Sequence, residues 1–513
     1  MNADSQDESK CYNPGSDPSQ TLTTSGRMLY IKKHKFVDTP LSEEPESSNW
    51  EFIKTGNTTT VDHNSIASTQ LTWRHEEEQK LLPCRYIGYA EGNLGLGQSF
   101  RDDVIAAVNA EVPVAVFPFR VGIETRLSGP FMPHLYDTKR HYPVNIIVVA
   151  TDQIPLVFRS ALGRSLAGSY NILRTYWELP EAPKYWQSYL TKINEIWVPN
   201  DFVANAFRNI FSGPIQIVPT TVDVTIGKAS DRSAFGMDED RFYFLYSFDY
   251  FSSPYRKNPL GLLRAFQQAF GSHAEKVGLV IKSIGPEKKH PEIRAEIQAV
   301  MAADPRIIRI HRNLERDEML SLIRASDAYV SLHRSEGFGA GMAEAMMMGK
   351  IVMGTDFSGN RCFLNEKTGF PVPYTIRAVQ PHEYPWSSGQ VWAEPVISEA
   401  ALIMRRVFER PEDALHRAVE GERFIKTEHS YAAVGQAMRK RLTEISKQEV
   451  PWRRDPARGA WLLSSTESLP FRWMTQATVL ISVWSYTRNL LMRGILGMSR
   501  RLLKLARRNH HPK

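Results

Sequence analysis

With 513 residues and 42% hydrophobic content, the chain is long enough for two or three domains with real cores, which excludes a largely disordered polypeptide. The formal charge of +7 is unevenly placed: residues 451–513 hold twelve Lys or Arg against Asp455 and Glu467, which leaves the first 450 residues at about −3. The body lacks the basic excess of a nucleic-acid-binding protein, so no nucleic acid partner is expected, and attraction to an anionic surface belongs to the tail.

Residues 1–27 are polar, with hardly an apolar side chain, and read as disordered. Met1 to Lys10 has no apolar core, so no ordinary secretory signal peptide is predicted. Residues 28–83 offer a single strand candidate, Met28 to Ile31, and no recognisable fold. Cys11, Cys84 and Cys362 are far apart and form no C-x-x-C pair, so a reducing compartment is expected, with neither a disulfide framework nor a zinc site.

Regular punctuation begins at Cys84. Short apolar runs at Tyr86–Tyr89, Val112–Phe117, Val144–Ala150, Tyr170–Tyr176, Ile196–Pro199 and Ile215–Val218 read as buried strands, several followed by helical patterns. A second series runs through Phe242–Ser247, Gly278–Lys282, Ile307–Ile310, Ala328–Leu332, Ile351–Thr355 and Gly369–Pro373. Two doubly wound α/β domains follow, 84–222 and 223–425, joined near 219–240. Ligands of open parallel sheets bind beyond the carboxyl ends of the strands, so the expected site is the cleft between the domains. Arg405–Arg410 and Glu420–Ile445 read as helical, with 426–447 as a helix returning to the first domain.

The most informative stretch is Ser335 to Lys350, S-E-G-F-G-A-G-M-A-E-A-M-M-M-G-K. A helix should start near Ala340, after the Gly337, Phe338, Gly339 turn. Glu336 then precedes the helix, and Glu344 lies in its first turns. A helix N-terminus offers unpaired N–H groups and the positive end of the dipole, which bind phosphate. Two carboxylates eight positions apart can flank such an anion across roughly 12 Å, at 1.5 Å of rise per residue. That span suits a nucleoside diphosphate sugar.

This stretch resembles the E-x7-E motif of the retaining GT-B glycosyltransferases of family 4. The similarity extends through Ser331–Arg334 and Gly354–Asn360, and recurs at Gly95–Gly97, Trp197–Asn200 with Phe202 and Val203, Arg256–Pro259, and Gln390–Pro395, covering roughly 84–446. The resemblance implies a GT-B fold, two Rossmann-like domains facing a cleft, and transfer of a hexose-type sugar from a UDP- or GDP-sugar to a glycan or lipid-linked acceptor. It further implies that Glu336 contacts the donor sugar and Glu344 the ribose. Gly337, Phe338, Gly339 and Ala340 would bring backbone N–H groups to the sugar and diphosphate. Lys257 matches the family lysine that holds the diphosphate. No arginine occupies the upstream position near Phe248–Phe251, and Arg256 is the nearest substitute.

Gly92-Asn93-Leu94-Gly95-Leu96-Gly97 is a strand-to-helix turn, with helix from Gln98 to Asn109, where Gly95 and Gly97 allow a phosphate or sugar to approach. Glu178 stands where many relatives present a histidine to the acceptor side, and it reads equally well as structural. His333, Asp356, Ser358, Gly359 and Asn360 are further candidates at strand ends. No Asp-x-Asp or histidine cluster lies near these residues, so a metal is not demanded and no other cofactor is expected. An NAD-dependent oxidoreductase is a rival reading, though the glycines fall as G-x-x-G-x-G rather than G-x-G-x-x-G. A non-catalytic scaffold of the same fold is another.

In the tail, Trp473–Thr487 is an uncharged run too short to span a membrane. From Leu491 onward, Leu491, Ile495, Met498, Leu502 and Leu505 fall on one helical face and Arg493, Arg500, Lys504 and Arg507 on the other. Residues 471–508 are therefore expected to bind an anionic membrane surface, which puts the protein in the cytoplasm, peripheral to the inner face of the cell membrane.

Overall fold

The computed structural model describes residues 81–448, apart from 124–126, 161 and 272–275. The segment 1–27, the strand expected at Met28–Ile31 and the amphipathic tail with its 471–508 stretch lie outside the described residues.

The first half comprises β1 (Cys84–Gly88), α1 (Gly95–Asn109), β2 (Val114–Pro118), β3 (Val144–Val148), α2 (Ile154–Arg159), β4 (Tyr170–Arg174), β5 (Glu195–Val198), α3 (Asp201–Arg208) and β6 (Ile215–Ile217). Its strands are parallel in the order β2-β1-β3-β4-β5-β6. Consecutive apolar residues serve opposite faces, as buried parallel strands require. Ile87, Ile147 and Leu173 pack toward α3, whereas Tyr86, Ile146 and Ile172 pack toward α1. β4 is shorter than the apolar run suggests: after Thr175 donates to the Trp197 carbonyl (3.1 Å) the chain leaves the sheet, carrying Trp177 and Glu178 out to its end.

The second half comprises β7 (Phe242–Asp249), α4 (Pro254–Lys257), α5 (Pro259–Phe270), β8 (Val277–Ile284), α6 (Pro291–Ala303), β9 (Ile307–His311), α7 (Arg316–Ala325), β10 (Ala328–Ser331), α8 (Ala340–Met347), β11 (Ile351–Thr355) and β12 (Phe370–Val372). The order is β12-β11-β10-β7-β8-β9, again parallel. The winding reverses between β7 and β10. A doubly wound sheet opens its binding crevice beyond the carboxyl ends of the two strands flanking that reversal. Both the α4 segment and the Ser335–Gly339 loop are thereby brought to one place.

Five further elements follow, up to Lys447. β13 (Tyr374–Ala378) and β14 (Val391–Pro395) form an antiparallel hairpin, an element the reading of Gln390–Pro395 as a motif did not foresee. Trp392 is fully buried and joins the apolar core of the first domain. The expected 426–447 helix is divided: after α9 (Ile397–Glu409), α10 (Pro411–Glu428) ends and α11 (Tyr431–Lys447) starts afresh. Ser430 caps the new helix by accepting from Ala433 N (3.2 Å), and His429 Nδ1 bonds the Thr220 carbonyl at 2.7 Å. α11 lies on α1 so closely that a Cβ on Gly435 would sit 2.2 Å from the Ala106 carbonyl oxygen. Arg441 donates two 2.8 Å hydrogen bonds to Glu195 of β5.

Candidate active site

The site is built on a short, constrained helix. Ser253 (φ +65°) and Asn258 (φ +53°) both adopt left-handed backbone on either side of α4; for residues with a Cβ this stores on the order of 1 kcal/mol each and persists only where surroundings enforce it. Asn258 supplies that enforcement, accepting from Gly261 N (3.1 Å) and donating to the Leu332 carbonyl (2.8 Å) beyond β10. The two cations of α4 are held by this frame. Arg256 is 2% exposed and donates to the Ser335 carbonyl at 2.7 Å. Its guanidinium lies 3.0 Å from Glu336 and 3.7 Å from Glu178, and Lys257 Nζ donates to Glu336 Oε1 at 2.5 Å. Four of the candidate residues, Arg256, Lys257, Glu336 and Glu178, thus form one cluster.

Burial alone would push the Glu336 carboxyl up, but Lys257 and Arg256 outweigh it and hold the group far below the usual carboxylate range. Lys257 is lowered, since desolvation exceeds the attraction of Glu336 and the adjacent Arg256 adds repulsion. Arg256 is raised, the two carboxylates overcoming its burial. The Glu336 carboxylate and the Arg256 guanidinium are therefore held in their charged forms, with Lys257 bonded to the same carboxylate.

The loop carrying Glu336 is pinned from both domains. Glu336 N donates to Ser358 Oγ (2.8 Å), Gly359 N to the Glu336 carbonyl (2.9 Å), and Ser335 Oγ to the Glu178 carbonyl. Asn200, the N-cap of α3, accepts from Val203 N and donates through Nδ2 to the carbonyls of Gly337 (2.8 Å) and Gly359 (3.2 Å). Gly359 must be glycine at this junction, since a Cβ would fall 2.1 Å from the Gly337 oxygen. Gly339 (φ +94°) starts α8 with no side-chain cap, so its first-turn N–H groups are offered to an anion. Ala340 is exposed there, whereas the Phe338 ring packs on Phe363 (5.2 Å) and His429 (5.4 Å) and can contribute only its backbone.

Glu344 lies apart from this cluster and is gripped by Arg316, whose Nη1 donates to Oε1 at 2.6 Å while Nη2 donates to the Asp223 carbonyl at 2.7 Å. Arg316 also feels the charge of Asp102 on α1, so the first domain borders this end of the site. Gly95 and Gly97 are inside α1 rather than in a turn before it. Gly97 is needed for packing, because a Cβ there would meet the Gly92 carbonyl at 2.3 Å, while Gly95 has open space. Asp356 pairs with Arg361 at the surface and does not join the cluster. His333 is fully buried beside the Asn360 side chain. Burial, with help from Lys257 and Arg256, pushes its pKa down to about 4 against the pull of Glu336, so the ring is neutral.

Sequence reasoning missed Arg316 and Tyr384, and gave Asn200 no role beyond closing the Trp197–Asn200 segment. Tyr384, in the loop between β13 and β14, donates to Glu178 Oε2 at 2.8 Å, and its ring lies 5.9 Å from the Arg256 guanidinium. None sits in a glycine-rich or paired-acid pattern; Asn200 alone carried a signal, as a cap ahead of Asp201 and an apolar run.

Residues 246–379 match the family described as glycosyl transferases, group 1. No curated protein sequence matches the chain. Among solved structures, the HepE protein of Anabaena in complex with UDP and glucose aligns with a TM-score of 0.53 and 14% identity, over 71% of this chain and 100% of that one. Sucrose-phosphate synthase from Thermosynechococcus elongatus aligns with a TM-score of 0.52 and 14% identity, over 71% and 99%. A glycosyltransferase from Rickettsia africae gives 0.51 and 13%, over 72% and 100%. At these identities the likeness speaks for the fold, which is GT-B, and α4 and Glu336 fall within residues 246–379, the stretch similar to the group 1 glycosyl transferases.

Proposed function

We propose that the chain is a retaining, metal-independent glycosyltransferase of family 4 that moves a hexose-type sugar from a UDP- or GDP-sugar to a glycan or lipid-linked acceptor. The observation that carries this reading is the Arg256–Lys257–Glu336 cluster at the switch point of the second sheet, beside an uncapped helix N-terminus. A donor diphosphate entering there competes with Glu336 for the two cations and leaves its carboxylate facing the sugar hydroxyls. Loss of the diphosphate leaving group is the demanding step, and preorganised positive charge from Lys257, Arg256 and α8 lowers its barrier. Glu344 accepts from the ribose hydroxyls with its second oxygen while Arg316 fixes the first. Glu178 faces the acceptor side.

A uridine donor is the first to test, because HepE, alike in fold, was crystallised with UDP and glucose. The deciding measurement is a thermal-shift panel of UDP, GDP, ADP and TDP, followed by turnover of the matching nucleotide sugars. A nucleotide at 100 times its dissociation constant adds about 2.7 kcal/mol of stability. If none of the four shifts the transition and no nucleotide sugar is consumed, the reading fails. Residues 471–508 supply, in this reading, a peripheral anchor on the anionic cytoplasmic membrane face, an inference from their sequence alone.

A further inference from the structure

An aromatic seam runs where the β13–β14 hairpin meets the first domain. Trp177 and Trp186 are buried with ring centroids 4.8 Å apart, and Trp386 from the hairpin loop packs on both, tilted against Trp177 at 5.8 Å and edge-on to Trp186 at 5.4 Å. Unlike its partners, Trp386 is 39% exposed, and Tyr185, 6.3 Å from Trp186, is 44% exposed. The Tyr185 hydroxyl lies close enough to the Trp386 indole to interact with it. Trp386 holds a left-handed backbone, φ +56°, strained for any residue with a Cβ. A strained tryptophan that leaves over a third of its surface in solvent is poor use of an aromatic for packing alone.

The seam is tied to the candidate active site through two chain segments. Trp177 directly precedes Glu178, and Tyr384, two residues before Trp386, donates to Glu178 and packs on Trp177 at 6.2 Å. Carboxylate and exposed rings are thus held in one rigid frame. The charges nearest the rings do not favour an anion: Asp152 acts on Tyr185, and Arg256, 5.9 Å from the Tyr384 ring, is engaged by Glu336 and Glu178. Flat aromatic faces beside an acid fit a neutral sugar ring, whose C–H face stacks while its hydroxyls donate to the carboxylate.

We infer that Trp386 and Tyr185 form a binding subsite for a neutral pyranose, oriented with a hydroxyl toward Glu178. That this sugar is the acceptor rests on the glycosyl-transfer reading; that it binds there does not.

The test is saturation-transfer NMR on the full chain with methyl α- and β-hexopyranosides, and a methyl glucuronoside as the charged comparison. The expected result is saturation of ring protons for the neutral probes in preference to the anionic one. Affinity should fall about tenfold in Trp386→Ala and in the surface variant Tyr185→Ala, stay within about threefold in Trp386→Phe, and UDP affinity should be unchanged. No saturation, preference for the glucuronoside, or equal binding by Tyr185→Ala and the parent would overturn the subsite. Binding that depends on these rings without consumption of any nucleotide sugar leaves the subsite standing and removes the glycosyl-transfer reading. Turnover whose acceptor KM ignores both rings does the reverse.

Discussion

Lys257 and Arg256 face one carboxylate, so each member of the cluster fails differently when removed. Lys257→Ala leaves Glu336 paired with Arg256 but deprives a diphosphate of one charge-assisted hydrogen bond. At about 1.5–3 kcal/mol for such bonds, catalytic efficiency should fall roughly 10- to 150-fold; steady-state kinetics indistinguishable from the parent would take Lys257 out of the site. Glu336→Ala strands the buried Arg256 and the partly buried Lys257 and should lose about 3–5 kcal/mol of stability, so turnover is better read in Glu336→Gln. In that variant nucleotide affinity should hold while kcat drops, whereas Glu344→Ala should weaken UDP binding. Equal losses of UDP affinity, measured by calorimetry, would sink this division of roles. His333 gives a pH signature. Its folded pKa, about 4, is below the ordinary histidine value of 6.5, so the unfolded chain takes the proton first. Its contribution is present above pH 6.5 and is lost as pH falls toward 4, with a slope of at most about 1.4 kcal/mol per unit. Asp102, pushed up to about 7 by burial, works in the opposite sense, so the measurement is the difference between the parent and His333→Gln in urea midpoints from pH 7 to 4.5. Identical slopes would remove His333 as the source.

At the scale of elements, most strands were legible because a parallel strand buried on both faces is a continuous apolar run, as in Val144–Val148 and Tyr170–Arg174. The start of α1 was misplaced because Gly95 and Gly97 argue for a turn by propensity, yet both lie inside the helix, with Gly97 packed closely on Gly92. The hairpin escaped because the burial of Trp392 in the other domain's core is a non-local contact. One ion pair ties several elements together: Arg174 at the end of β4 donates to Asp103 of α1 (3.1 Å) and to the carbonyls of Val218 (2.6 Å) and Pro219 (3.0 Å), where the chain leaves the first domain. Both charged side chains are essentially unexposed. Arg174→Met leaves Asp103 buried without its cation and should cost about 3–5 kcal/mol in denaturant unfolding. A loss below about 1 kcal/mol would mean water reaches the pair.

On the scale of the whole molecule, the two domains are fastened by Asn200, by Ser335 on Glu178, by the hairpin and by α11. Among the described residues no helix is long and apolar enough to cross a membrane, so the anchoring proposal rests on the tail. The full chain should co-sediment with anionic vesicles at low salt, while a chain ending at Lys447 stays in the supernatant; if both remain soluble, the amphipathic face belongs to a protein interface. The sequence by itself determined the two α/β halves and the helix after Gly339, since apolar period and glycine placement are local properties of the chain, and a family resemblance marked Arg256, Lys257, Glu336 and Glu344 as candidates. Only the tertiary structure decided that Glu336 is ion-paired, that Arg316 holds Glu344, that Tyr384 reaches Glu178 and that Asn200 joins the domains. Those partners are brought together by strand order and domain packing, which no short window of sequence encodes.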